Sequence, residues 1–358
     1  MPVRPNRRII ITFAVVTAQT TIINTTTIRI RIAEAGVIFD TYLIVDWSAA
    51  RTPKTGRDSI WICRRSGEDE EVANPPTRQA ARELLAKMLV LAMAKGERVV
   101  AGFDFPFGYP AGFAARLGLA GTPWRAVWEE IARLIDDRND NDNNRFEVAA
   151  ALNKRISGGS FPFWGRPVRM DHPFLGPKHH KRHVEDGLLE KRLIDEWMIG
   201  AQPCWKLIGA GSVGGQVLTG IPVVRALRDD PRWAEHARIW PFETGLGLGD
   251  DARIVFAEVW PSWWKACPKL GPPNDKAQVR TVARIFAAAD RAGELAAWFS
   301  PRIGDADPHQ IITEEAWTLG VTQPRVRATK PRRLTPNPGS FHSGQAKNAF
   351  TLAPQREG

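Results

Sequence analysis

The chain has 358 residues, 43% hydrophobic and 25% charged, a balance that supports a buried core and excludes a wholly disordered or collagen-like polymer. Its formal charge of +10 is unevenly placed: residues 1–40 hold five Lys/Arg against two acids and residues 322–358 hold seven against one, which leaves 41–321 nearly neutral. A near-neutral body argues against strong duplex binding, which depends on many cations releasing counterions, and no apolar run reaches membrane-spanning length.

Residues 1–40 begin with Arg4, Arg7 and Arg8 ahead of the apolar stretch Ile9–Val16 and a Thr-rich run. A charged start before a short apolar segment imitates a signal peptide, but no clean small-residue cleavage site follows, so these residues read as an extension outside the core. The body, 41–321, opens with Leu43-Ile44-Val45-Asp46, a buried-strand pattern that stops at an acid. After the Pro-, Gly- and Arg/Lys-rich loop Ser48–Asp58, Ile60–Cys63 reads as a second strand. A short acidic interval then leads to Asn74-Pro75-Pro76, where a helix carrying Leu84, Leu85, Met88, Leu89 and Ala92 starts and runs to Gly96. The next strand, Val99–Phe103, again meets an acid, Asp104. Thr122-Pro123 caps a helix whose Trp124, Val127, Trp128, Ile131, Leu134 and Ile135 share one face.

From about 139 to 250 the pattern is irregular, with one clear helix near Leu188–Ile199, and reads as an insertion packed on the sheet. Within it, Gly209, Gly211 and Gly214 match a Gly-x-Gly-x-x-Gly spacing and are candidate cofactor-binding positions. A dinucleotide fingerprint also needs a preceding strand and an unbroken helix, which Gly220-Ile221-Pro222 interrupts. His179 and His183 have helical metal-ligand spacing but sit among Lys178, Lys181 and Arg182, which favours a solvated loop or a phosphate contact. Asp137, Asn139 and Asn141 imitate the start of a calcium loop, yet Asp142 and Val148 occupy its glycine and bidentate-acid positions, so a polar connection is expected. Order returns with Ile254–Glu258, a third apolar strand ending in an acid, a helix from Asp275 to Arg291 and an amphipathic piece holding Glu314, Glu315, Trp317 and Leu319. Residues 322–358 form a basic, Pro-containing tail with disorder-like composition. Cys63, Cys204 and Cys267 are few and far apart, which fits a reducing, cytoplasmic setting and argues against a disulfide framework or thiolate zinc site.

Acids ending neighbouring parallel strands, about 4.8 Å apart, reach a common ion. The order strand with Asp, strand, helix, strand with Asp and later strand with Glu resembles the ribonuclease H-like superfamily, and within it the family of domain of unknown function 429. The resemblance is carried by Val45-Asp46-Trp47-Ser48, by Gly102-Phe103-Asp104-Phe105-Pro106-Phe107-Gly108, by Glu258-Val259-Trp260-Pro261 and by Glu314-Glu315-Ala316-Trp317. It implies an α/β fold, a mixed sheet flanked by helices, with Asp46 on the central strand, Asp104 on its neighbour, Glu258 flanking them, and Glu314 or Glu315 completing the ligand set. Asp46, Asp104 and Glu258 are thereby candidate catalytic and metal-ligating residues, with Glu314 and Glu315 as further ligands. Hard oxygen donors imply Mg²⁺ or Mn²⁺, and Arg51 or Lys54 is available to orient a phosphate. Three functions stay open at this point: a metal-dependent phosphohydrolase or nuclease-like protein acting on a nucleotide or short single strand; a non-catalytic ligand-binding or assembly protein; and a phosphotransferase of the actin-like ATPase type.

Overall fold

Six strands, β1 (Thr41–Asp46), β2 (Trp61–Ser66), β3 (Asp69–Ala73), β4 (Val99–Phe103), β5 (Ala237–Ile239) and β6 (Ile254–Glu258), form one mixed sheet in the order β3-β2-β1-β4-β6-β5. The computed structural model describes residues 36–179, 187–249 and 251–324. Most of the N-terminal extension, His180 to His183, and the basic tail from Arg325 lie outside the described residues. The outer hairpins β1-β2 and β2-β3 are antiparallel, and β1, β4, β6 and β5 run parallel to one another. The acidic interval after Ser66 is therefore an edge strand, where Asp69, Glu70 and Glu71 face solvent and Arg side chains rather than core.

Side chains on a strand alternate between faces, and here both faces are covered, which is why the central strands read as unbroken apolar runs. Leu43, Val45, Val99, Ala101, Phe103, Ile254 and Phe256 enter one core, packed by α1 (Arg78–Ala94), the short α2 (Phe113–Arg116), α3 (Pro123–Leu134), α4 (Arg145–Ser157) and α6 (Gly214–Arg228). Tyr42, Ile44, Val100, Val255 and Ala257 enter the other, packed by α5 (Leu193–Trp197), α7 (Asn274–Arg291) and α8 (Leu295–Trp298). Thr77 caps α1, its hydroxyl accepting from Ala80 N at 3.2 Å, and Gly96 leaves the helix with φ +75°, a conformation that suits glycine.

The stretch 139–250 is more ordered than its composition suggests. It supplies α4, α5, α6 and the edge strand β5, and α6 continues through Pro222. Proline at that position forfeits one backbone bond, but the helix is held by burial of Val217, Leu218, Ile221, Val224 and Leu227. Gly220 admits the Phe105 ring directly against its backbone. The expected amphipathic piece near Glu314 is instead a single π-turn, Ile311–Glu315, after which Thr318 bridges to Glu258 beside β6. Among the described residues no helix is long and apolar enough to cross a membrane.

Candidate functional site

The register of β1 on β4 aligns Val45 with Phe103, so Asp46 and Asp104 leave adjacent parallel strands at the same level. The Asp104 amide donates to Val45 O at 2.9 Å, extending the ladder to the acids themselves. By strand alternation Asp46 follows Tyr42 and Ile44, and Asp104 follows Val100, onto the face covered by α7. The first turn of α7 brings a third acid, Asp275, into electrostatic reach of both. Among the described residues no hydrogen bond ties either the Asp46 or the Asp104 carboxyl to protein, whereas Asp275 accepts one from Asp58 N at 2.7 Å.

These surroundings disfavour charge. Burial, then Asp104, Asp275 and Asp58, push the Asp46 carboxyl well above the carboxylate range. Burial, then Glu258 and Asp275, raise Asp104 to about 7. Each keeps partial solvent contact, so the pair is desolvated by its neighbours without being sealed off. Asp275 is absent from the sequence-predicted set. Its signal is modest: an acid in the first turn of a helix that has to pack over the ends of β1 and β4.

Glu258 is used differently from its expected ligand role. Its parity matches Ile254 and Phe256, one step out of phase with the Asp pair, and it is 3% exposed. Arg192 grips it through two hydrogen bonds of 2.6 and 2.8 Å, Thr318 Oγ1 donates at 2.7 Å and Phe107 N at 3.0 Å. Its oxygens are thus committed to holding the loop after β4 and the segment after the π-turn. Glu314 and Glu315, also expected as ligands, are likewise engaged by protein donors. Glu314 accepts from Gly112 N at 2.7 Å. Glu315 accepts from Ala111 N at 2.9 Å, Leu193 N at 2.6 Å and Gln310 Nε2 at 2.7 Å. These two acids fasten loops, and Gly108 lies against their backbone, where a Cβ would come within 2.5 Å of Glu315 O. Gly108→Ala is expected to cost about 1–3 kcal/mol through this overlap, measured as a lowered urea midpoint.

No family model, curated protein or solved structure matches this chain. The chemistry of the site is therefore carried by its own geometry.

The loop after Asp46 is clamped from below. Arg78, 1% exposed, donates to Ser48 O at 3.1 Å and Ala50 O at 2.7 Å, and pairs both oxygens of Asp137. Asn141 accepts from Arg78 N and donates to Thr52 O and Pro76 O, so the calcium-like stretch is a structural polar connection. Arg51 is engaged by Asp142 at 2.6 Å and Lys54 lies 3.7 Å from Asp58. Gly209 and Gly211 adopt positive φ in a turn, and Gly214 begins α6 pressed against the carbonyls of Cys204 and Lys206. Among the described residues no strand leads directly into this loop, so the cofactor assignment of Gly209, Gly211 and Gly214 lacks the strand–turn–helix frame a dinucleotide site requires. Close backbone packing explains Gly214 instead. His179 lies 3.6 Å from Glu190 and edge-on to Trp164.

Proposed function

We propose that this protein is a Mg²⁺- or Mn²⁺-dependent phosphohydrolase or nuclease-like enzyme on a ribonuclease H-like core, acting on a nucleotide or short single strand. The observation that carries the reading is the side-by-side placement of Asp46 and Asp104 at the carboxyl end of the parallel strands, without hydrogen bonds to their carboxyls among the described residues. A structural acid at such a place is ordinarily paired, as Glu258, Glu314 and Glu315 are here. The strand order, with β2 antiparallel between β1 and β3 and the acids on β1 and beyond β4, supports the ribonuclease H-like assignment.

Among the described residues no three His, Cys, Asp or Glu side chains stand together as a ready-made metal cluster. Two carboxylates suffice for Mg²⁺, which retains several waters and takes only one or two protein oxygens. Asp46 and Asp104 fit that donor set and would hold the ion, with Asp275 in electrostatic reach of both. A bound divalent ion supplies Lewis acidity toward a phosphoryl oxygen and lowers the pKa of water. The chain's own part is to hold the two acids at one level of the sheet, where the ion's charge would favour their ionised form, and to orient the loop Trp47–Ala50 through Arg78.

The test is hydrolysis of bis(4-nitrophenyl) phosphate with Mn²⁺. Parent protein is expected to turn over, and Asp46→Asn to lose at least about 100-fold in kcat/KM at unchanged fold. Ion-dependent thermal stabilisation without any hydrolysis of phosphoesters would favour the binding-protein reading, and neither effect would remove the metal site.

A further inference from the structure

A second feature lies beside the loop that follows Asp46, across Gly215 from Ala49. Arg145, the first residue of α4, is 8% exposed and carries no ion pair among the described residues. Its Nη1 donates to Asn143 Oδ1 at 2.9 Å and its guanidinium lies 4.5 Å from the Phe146 ring centre. Nε is fully enclosed and has no hydrogen-bond partner, and no bond to Nη2 is formed among the described residues. Arg78 and Arg51 face the same region and oppose its charge, while Glu147 and Asp137 favour it only in part, Asp137 being already paired with Arg78 and Asp142 with Arg51. Burial and these two cations hold the Arg145 group down to about 10, still charged at neutral pH. An unpaired buried cation is costly unless an anion completes it.

Its unpartnered Nε edge meets the start of α6, a 15-residue helix. A Cβ on Gly215 would lie 3.2 Å from Arg145 Nε and 3.2 Å from Ala49 Cβ, so glycine lets the helix start approach the guanidinium this closely. Val213 provides no side-chain cap, and the Gly214 amide is taken by Lys206 O at 2.8 Å. The amides of Gly215 and Gln216 have no partner among the described residues, as the first turn of a helix leaves them. The Gln216 side chain donates to Trp47 O at 2.5 Å, tying this helix end to the residue after Asp46.

The geometry points to an oxyanion site in which the Nε–Nη2 edge of Arg145 and the Gly215 and Gln216 amides receive the phosphoryl group of the substrate. It rests on the reading of Asp46 and Asp104 as the hydrolytic centre, and supplies the phosphate contact that Arg51 and Lys54 were expected to make. A guanidinium edge offers two parallel donors and a helix start offers amides with a favourable dipole, a combination that suits a multi-oxygen anion.

Binding of inorganic phosphate, against chloride at matched ionic strength and without divalent ions, tests this by calorimetry. Parent is expected to bind, Arg145→Met to bind at least tenfold more weakly, and Gly215→Ala to weaken binding with the arginine intact. Arg145→Met without phosphate is expected to melt no lower than parent, since it removes an uncompensated charge. Phosphate affinity should survive Asp104→Asn, and ion-linked stabilisation should survive Arg145→Met, so the two sites fail separately. Absence of phosphate binding by the parent, or parental affinity in either Arg145→Met or Gly215→Ala, overturns the assignment.

Discussion

Replacing Arg192 with methionine is expected to lower the melting temperature by about 6–20 °C. Arg192 is fully buried and binds Glu258 at 2.6 and 2.8 Å, Asp195 at 2.8 and 3.1 Å and the carbonyl of Glu315 at 3.0 Å. Its removal strands two acids that are 3% and 2% exposed. Breaking a buried pair from one side costs about 3–5 kcal/mol, and for a domain of this size each kcal/mol moves the melting temperature by about 2–4 °C. Neutralising the whole set, Arg192→Met with Glu258→Gln and Asp195→Asn, is expected to recover part of the loss, because the cost lies in uncompensated charge. The same change reaches the functional site, since Glu258 also holds Phe107 N and with it the turn that begins at Asp104. A thermal midpoint within about 3 °C of the parent would show that the network contributes little.

The scaffold was readable where both faces of the sheet are buried. Leu43 to Asp46, Val99 to Asp104 and Ile254 to Glu258 have no polar alternation to confuse with a surface strand, and each lies where expected. The acid at each strand end is equally visible, and its phase along the strand carries further information. Counting by twos sets Asp46 with Ile44 and Asp104 with Val100, while Glu258 falls with Phe256 on the other face. That count alone separates the candidate ligands from the structural acid. Asp275 and Arg192 were harder, for a physical reason: each acts through tertiary placement. Asp275 looks like any acid at a helix start, and Arg192 emerges from an irregular connection 66 residues before its partner. The helices α4 and α6 were hidden by Asn-rich and Gly/Pro-containing stretches, which lower local propensity without preventing a helix that buries most of one face.

Asp104→Asn is expected to raise stability at pH 8 in the absence of divalent ions and to abolish stabilisation by them. The folded protein holds the Asp104 proton to about 7, above an ordinary carboxyl value of 3.8. The folded state therefore binds this proton more tightly than the unfolded chain does. That contribution is complete below about pH 4 and is lost as pH rises through 7, where an ionised carboxylate must sit beside Asp46, Asp275 and Glu258. Asparagine keeps the shape and removes the charge, so the variant's melting temperature should change less between pH 5 and 8 than the parent's. The difference at pH 8 is on the order of 2–4 kcal/mol, about 5–10 °C. On the proposed reading Mg²⁺ would supply the missing positive charge in the parent and would have no carboxylate pair to join in the variant, so addition at pH 8 should raise only the parent's midpoint, with proton release as the carboxyl ionises. Equal stabilisation of both proteins by Mg²⁺ would place any ion elsewhere. A parent that loses no stability between pH 5 and 8 would show that Asp104 is already compensated within the fold, and the argument from unpaired acids at the sheet edge would fall with it.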